Sequence, residues 1–328
     1  MLIDPFGRAI TYLRISITDR CNLRCAYCMP ESGVQWLPKE TVITEDEIVR
    51  VAQAAASLGI TKIRLTGGEP LVRPDVLDIV RRIAVIPGIE DLSLTTNAML
   101  LDRLAKPLAD AGLGRVNISL DTVDPEKFHR ITRFGNLAIV WKGILAAEAA
   151  GLLPIKLNTV VVGGFNDVDV LSLAQLTLEH SWHVRFIELM PVANEEDWGG
   201  GLPPVAERYV SVQKMHSMLA DLALQPVESP SGSGPERTFQ IPGAPGTVGF
   251  ISPLGNHFCN KCNRLRLTAD ARLRSCLLVD KEISIREALK SGADLTDFLM
   301  KAVAGKPKGH ELADHNCPDT RYMSQIGG

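Results

Sequence analysis

The feature that most restricts the fold of this chain is a strand-then-helix alternation that recurs at intervals of roughly thirty residues. Strand-like runs are predicted at Leu13–Thr18, Lys62–Thr66, Asp91–Thr95, Arg115–Asp121, Ile155–Val162 and Val184–Met190, with helical stretches between them. Thr44 and Glu47 have the spacing of a capping box that opens the first helix. Gly59, Gly112 and Gly151 fall where helices should stop, each just before the next strand. Successive parallel strands need a crossover, so six such units predict a parallel sheet.

The two faces of these strands differ. Ile15, Ile17, Ile63, Leu65, Leu92, Leu94, Val116, Ile118, Leu120 and Leu157 alternate with Arg14, Ser16, Thr18, Lys62, Arg64, Thr66, Ser93, Thr95, Asn117, Ser119, Asp121, Lys156 and Asn158. Side chains alternate across a strand, so each strand offers an apolar face to helices and a polar face to something else. A closed eight-stranded barrel fills its interior with branched apolar residues. Five consecutive strands with polar inner faces instead predict an α/β fold of the open TIM type, a partial (β/α)6 barrel lined for a large polar ligand. An open sheet with a solvated face is the alternative, but a parallel sheet is normally covered on both sides. After residue 190 the alternation stops, and Pro226 to Pro245 is rich in Pro, Gly and Ser, as loops and linkers are. The expected division is a core barrel over residues 1–225 and a C-terminal region over 226–328.

The chemistry is carried by cysteine. Six of seven Cys fall in two clusters, a pattern of metal sites in a reducing compartment more than of a disulfide framework. Cys21, Cys25 and Cys28 follow the first strand, and a long helix that buries three inert thiols is opposed by Asn22, Pro30 and Pro38. Thiolates suit zinc, Cu(I) and iron–sulfur clusters, and three in place of four leave a coordination position open. Cys259, Cys262 and Cys276 form a second set of three. Cys317 beside His315 offers a fourth ligand for structural zinc, or is a spare thiol. Between Cys262 and Cys276, Arg264 and Arg266 flank Leu265 on one strand, suited to bidentate contact with phosphate. The formal net charge of −3 means that an anionic ligand must be held by such local cations, and it offers no general field for nucleic acid. No apolar run reaches membrane-spanning length and Met1 to Pro5 lacks a signal-peptide plan, so a cytoplasmic protein is expected.

The CxxxCxxC spacing with Tyr27 before its last Cys, followed by Thr66-Gly67-Gly68-Glu69-Pro70, resembles the signature of the radical S-adenosylmethionine (SAM) enzymes. With CxxC-x13-C enclosing Arg264-Leu265-Arg266 and a Gly327-Gly328 end, the chain resembles the GTP 3′,8-cyclase family, which opens molybdenum cofactor (molybdopterin) biosynthesis. That likeness runs nearly end to end, through Arg14 to Arg20, Leu94 to Asn97, Asn117 to Asp121 and Arg185 to Met190. One departure is visible. Ala98 stands where the family has Gly, so a left-handed turn there would be strained.

The resemblance implies a [4Fe–4S] cluster on Cys21, Cys25 and Cys28, with SAM lined by Tyr27, Gly68, Glu69, Ser119 and Met190. It implies a second [4Fe–4S] cluster on Cys259, Cys262 and Cys276, in a C-terminal segment that closes the barrel mouth, with guanine on its open iron. GTP contacts are implied at Arg14, Arg64, Thr95, Lys156, Arg264, Leu265 and Arg266, and catalytic roles at Arg14, Arg264, Arg266, Gly327 and Gly328. Hydrogen abstraction at ribose C3′ and attack on guanine C8 would follow, with an external electron donor and a synthase of cyclic pyranopterin monophosphate as receiver of the product, in a homodimer or monomer. A peptide-modifying radical enzyme usually carries more C-terminal Cys than this chain, a Rossmann oxidoreductase needs a Gly-x-Gly-x-x-Gly turn absent at the first strand, and a zinc module needs four ligands per site.

Overall fold

The computed structural model describes residues 1–190, 202–229, 234–255, 257–310 and 321–327. The positions Gly328, Cys317 and His315 lie outside them. Six strands alternate with helices as the spacing predicts: β1 (Tyr12–Ser16), β2 (Lys62–Thr66), β3 (Asp91–Thr96), β4 (Arg115–Ser119), β5 (Lys156–Val161) and β6 (His183–Glu188). The crossovers carry α1 (Glu45–Ser57), α2 (Val76–Ala84), α3 (Leu101–Asp110), α4 (Pro125–Thr132), α5 (Leu137–Ala149) and α6 (Val170–Glu179). Thr44 Oγ1 accepts from Glu47 N while Glu47 Oε2 accepts from Thr44 N, so the capping box forms. Gly59, Gly112 and Gly151 all take positive φ, the left-handed conformation that ends a helix without Cβ strain.

Six more strands follow: β7 (Gln225–Pro226), β8 (Arg237–Gln240), β9 (Thr247–Ile251), β10 (Arg264–Leu267), β11 (Arg272–Arg274) and β12 (Glu282–Ser284). The sheet runs β12-β11-β10-β1-β2-β3-β4-β5-β6-β9-β8-β7. β9 joins β6 and β10 joins β1, both in parallel register, so the C-terminal region adds one parallel strand to each flank of the six. The rest pair antiparallel at the two edges. The stretch from Pro226 to Pro245, expected as loop, thus contains β8. Pro226 ends the edge strand β7, and Pro235 and Pro242 stand just outside β8, where a missing N–H costs little.

The apolar faces of β1 to β6, β9 and β10 meet the helices in one continuous core that includes Leu13, Ile15, Ile63, Leu94, Ile118, Leu157, Phe186, Phe250 and Leu265. Ile251 of β9 and Arg266 of β10, at opposite flanks of the parallel strands, line the same cavity as the strands between them. The sheet therefore curls about that cavity. Among the described residues no pairing joins its two edges, and no helix is long and apolar enough to cross a membrane.

Candidate active site

The carboxyl ends of β1 to β3 are locked together by a loop contact that only glycine permits. Gly68 N donates to Thr18 O at 2.8 Å and Glu69 N to Arg20 O at 2.8 Å. A Cβ on Gly67 would lie 2.4 Å from Thr18 O, and one on Gly68 would lie 2.4 Å from Arg20 O. Glu69, buried beneath this contact, accepts from Leu71 N, from Thr96 Oγ1 at 2.7 Å and from Asn97 N at 2.7 Å. Burial pushes its carboxyl up to about 7, against those hydrogen bonds. Asn97 in turn donates to Asn22 Oδ1 at 2.8 Å. Ala98 follows with φ 62, fully buried, so the expected strain is present; its amide donates to Thr96 Oγ1, and Gly143 of α5 gives its methyl room.

This platform carries the loop of Cys21, Cys25 and Cys28, all three of which line the main cavity. The loop is anchored from below: Ala26 N donates to Ile131 O, Arg24 N to Thr132 O, and Arg133 to the carbonyls of Arg24 and Met29. Tyr27 donates to Asp121 Oδ2 at 2.7 Å. Burial raises Cys21 and Cys28 to about 12 and Cys25 well above its ordinary value, and the thiols oppose one another's ionisation. Three thiols that resist ionisation in an otherwise finished loop are a donor set whose charge a bound cation would compensate.

The cavity floor is cationic. Register sets Arg266 beside Arg14 and Arg14 beside Arg64 on adjacent strands, with Arg115, Lys156 and Arg185 further round the same cavity. Burial first, then neighbouring guanidiniums, lower Arg14 well below its usual range and Arg266 to about 10. Ser93 and Asn117, predicted on the inner face, are buried beneath this row: Arg64 donates to Ser93 Oγ and Arg185 to Asn117 Oδ1 at 2.8 Å. Arg64 and Arg264 also stand over the Tyr12 ring, at 5.4 and 5.9 Å. Tyr12 Oη, Thr95 Oγ1, Asn158 Oδ1 and Arg264 Nε are buried with no hydrogen-bond partner among the described residues. Such atoms are costly unless a polar ligand satisfies them.

Cys259, Cys262 and Cys276 adjoin this floor. Cys262 lines a neighbouring cavity that shares Phe258 and Arg264 with the first. Burial works against its ionisation, but Lys306 and Arg264 overcome it and bring the thiol below its ordinary value. Lys306 is itself fixed by the carbonyls of Arg264 and Ser275. Arg8, paired with buried Asp4, donates to Cys259 O at 2.6 Å and ties the chain start to this loop. Among the described residues no three His, Cys, Asp or Glu side chains are grouped as ligands of one metal ion.

The tail enters from the other side. Arg266 donates to Gly327 O at 2.6 Å; Gly327 has φ 70, and a Cβ there would lie 3.2 Å from Ser16 Cβ and Thr66 Cγ2. Gly68, Glu69, Ser119, Met190, Thr95, Lys156 and Arg64 all line the main cavity with the first thiols. Leu265 is not among the lining residues: strand alternation turns its side chain into the helix-facing core. Tyr12, Arg115 and Arg185 were missed, while Lys62 and Asn158 were read on the polar strand faces but not named as ligand contacts. Arg185 was legible, being in phase with the polar positions of its own strand, whereas Arg115 sits at a strand start where either face is open.

A family model described as the radical SAM superfamily matches residues 15–177, and one described as Molybdenum Cofactor Synthesis C matches 182–312. The GTP 3′,8-cyclase of Pelotomaculum thermopropionicum is 49% identical over 330 residues, covering 99% of each chain. That of Moorella thermoacetica is 48% identical over 328 residues, again 99% of each. Among solved structures, SuiB of Streptococcus suis superposes with a TM-score of 0.63 at 14% identity, over 88% of this chain and 65% of that one, a likeness of fold. With identity at this level along nearly the whole of both chains, the protein belongs to the GTP 3′,8-cyclase family of the radical SAM superfamily.

Proposed function

We propose that this chain converts GTP to 3′,8-cyclo-7,8-dihydro-GTP, using SAM and an electron donor, as the first step of molybdenum cofactor biosynthesis. One observation supports it most: a row of cations in register, Arg266 buried and Arg14 and Arg64 half-buried, lines the cavity of the first three thiols, and Arg266 at its end stands near Cys262 and Cys276 of the second set. Cys21, Cys25 and Cys28 would hold one [4Fe–4S] cluster and Cys259, Cys262 and Cys276 a second. A cluster in which each thiolate serves a different iron does not require the three-ligand cage of a single ion. When bound, the first cluster with SAM supplies a primary carbon radical able to take a hydrogen atom, and the second an open iron for guanine.

The chain's own residues position and exclude. Glu69 and the Gly67-Gly68 turn fix the rim on which SAM would lie, with Tyr27, Ser119 and Met190 as its further contacts. Arg14, Arg64, Lys156, Arg264 and Arg266 hold the nucleotide, charge-assisted bonds to phosphate being stronger than neutral ones. Thr95 offers its unsatisfied hydroxyl. Arg266 also grips the tail at Gly327, which sets the wall against which the ribose packs and keeps water from the reacting carbon. Residues 226–328 in this reading close the mouth of a core formed by 1–225, although both contribute strands to one sheet. A cytoplasmic setting, an external reductant and transfer of product to cyclic pyranopterin monophosphate synthase complete the proposal.

The test is anaerobic reconstitution followed by turnover. About eight irons per chain, 5′-deoxyadenosine and a cyclised nucleotide are expected. Zinc in a colourless protein, or radical cleavage of SAM with GTP recovered unchanged, would overturn it.

A further inference from the structure

One carboxylate intrudes on the cationic floor. Glu236, just before β8, has a side chain only 4% exposed, between Lys156 and Arg185, themselves 3% and 5% exposed. Its slot is made by two glycines. A Cβ on Gly234 would lie 1.7 Å from Glu236 Oε2, and one on Gly249 of β9 would lie 3.3 Å from Glu236 Cβ. The carboxylate is nevertheless held loosely: Lys156 Nζ is 3.8 Å from Oε1 and Arg185 NH1 is 3.9 Å from Oε2. Ser229 donates to Oε1 at 3.2 Å, and Oε2, buried, has no partner among the described residues. Structural pairs elsewhere in the fold close fully, Arg115 to Asp91 at 2.6 Å and Arg73 to Asp75 at 2.7 Å.

We infer that Glu236 is a tethered competitor for the phosphate-binding cations, displaced from Lys156 and Arg185 by the terminal phosphate of the substrate, and so a residue that sets affinity and selectivity. This rests on the reading that the cationic row takes the triphosphate of GTP. A buried cluster of like charges repels itself, and one carboxylate at an incomplete distance relieves part of that repulsion without filling the site. A terminal phosphate brings more acceptor oxygens and more charge, and can close on both cations at once. A tethered group acts at an effective concentration in the millimolar range, so small anions displace it poorly. A nucleoside triphosphate, which also gains contacts at its base, displaces it readily.

The experiment is calorimetric titration of the reconstituted protein, anaerobically, with inorganic triphosphate, GTP and guanosine. Glu236→Gln and, as a second variant without the amide, Glu236→Ala should bind inorganic triphosphate and GTP at least about tenfold more tightly than the parent, with guanosine unchanged. Lys156→Gln measures the underlying reading. If the parent's triphosphate binding is indifferent to Lys156→Gln, the phosphate assignment itself fails and the inference falls with it. If Lys156→Gln weakens binding while both Glu236 variants bind triphosphate no more tightly than the parent, the assignment stands and Glu236 is a structural counter-ion only. A gain for guanosine as large as that for triphosphate would also overturn the inference, since displacement from cations concerns phosphate alone.

Discussion

Cys21, Cys25 and Cys28 occupy one loop that faces carboxylates, Glu69 beside Cys21 and Asp121 beside Cys25 and Cys28. Cys259, Cys262 and Cys276 are gathered from two loops on either side of β10 and β11 and face cations instead: Arg8 near Cys259, Lys306 and Arg264 near Cys262, and Arg266 near Cys262 and Cys276. Both sets are three thiols with room for an outside ligand, yet the fields around them have opposite sign. In the proposed reading the difference assigns the ligands. The sulfonium and ammonium of SAM suit the acidic surroundings of the first set, and a polyphosphate nucleotide suits the basic surroundings of the second.

Removing one thiol from each set is the strongest way to break this comparison. Cys25→Ser should abolish 5′-deoxyadenosine formation while about half the iron, that of the second set, remains bound. Cys262→Ser should leave SAM cleavage and abolish cyclised nucleotide. Separate iron assays and chromatography of both products check the pair. The same phenotype from both variants would mean that the sets do not divide the ligands between them.

The tail gives the next largest effect because it joins the two fields, lying against Ser16 and Thr66 of the first region and bonded to Arg266 of the second. Gly327→Val would place a branched side chain at φ 70 and within 3.2 Å of three atoms. Misplacement by about 1 Å costs on the order of a hundredfold in rate, so cyclised product should fall by that factor with both iron sets retained. An unchanged turnover would show the tail to be a bystander.

Sequence reading reached the first region more fully than the second for a physical reason. Its thiols, glycines and strands are local: Cys21 to Cys28 lie in one loop, and β1 to β6 differ from the predicted runs by at most two residues at either end. The second region is assembled by pairing across the chain. That Thr247–Ile251 and Arg264–Leu267 flank the barrel follows only from their parallel register with β6 and β1, more than fifty positions away in the sequence. Lys306 near Cys262 and Glu236 near Lys156 are likewise products of tertiary packing, with no spacing signal to announce them.

Arg266→Ala tests the basic side of the comparison at smaller magnitude. Truncating one member of a buried, hydrogen-bonded charged contact costs ~2–5 kcal/mol, which is a weakening of GTP binding by roughly thirtyfold or more. SAM binding should hold, because the thiols that act on Arg266 are Cys262 and Cys276 of the second set. Equal losses for both ligands, measured by equilibrium dialysis under nitrogen, would point to general loosening of the sheet edge.

The smallest expected effect is a pH dependence confined to the nucleotide. Lys156 is lowered from 10.5 to about 7 by burial first and then by Arg185, with Arg115 and Arg64 adding to the shift and Glu236 opposing it. For a base depressed in the folded protein, the unfolded chain binds more protons between about 7 and 10.5, so through this group stability rises with pH across that window. Nucleotide affinity runs the other way. A phosphate beside Lys156 favours its charged form, so GTP binding above pH 7 must take up a proton and should weaken by up to about tenfold per pH unit, while binding below pH 7 takes up none. Titration in two buffers of different ionisation heat measures that proton directly. Lys156→Arg, charged throughout the range, should abolish both the uptake and the slope. If the variant keeps the slope, the proton belongs to another group and Lys156 does not meet the phosphate.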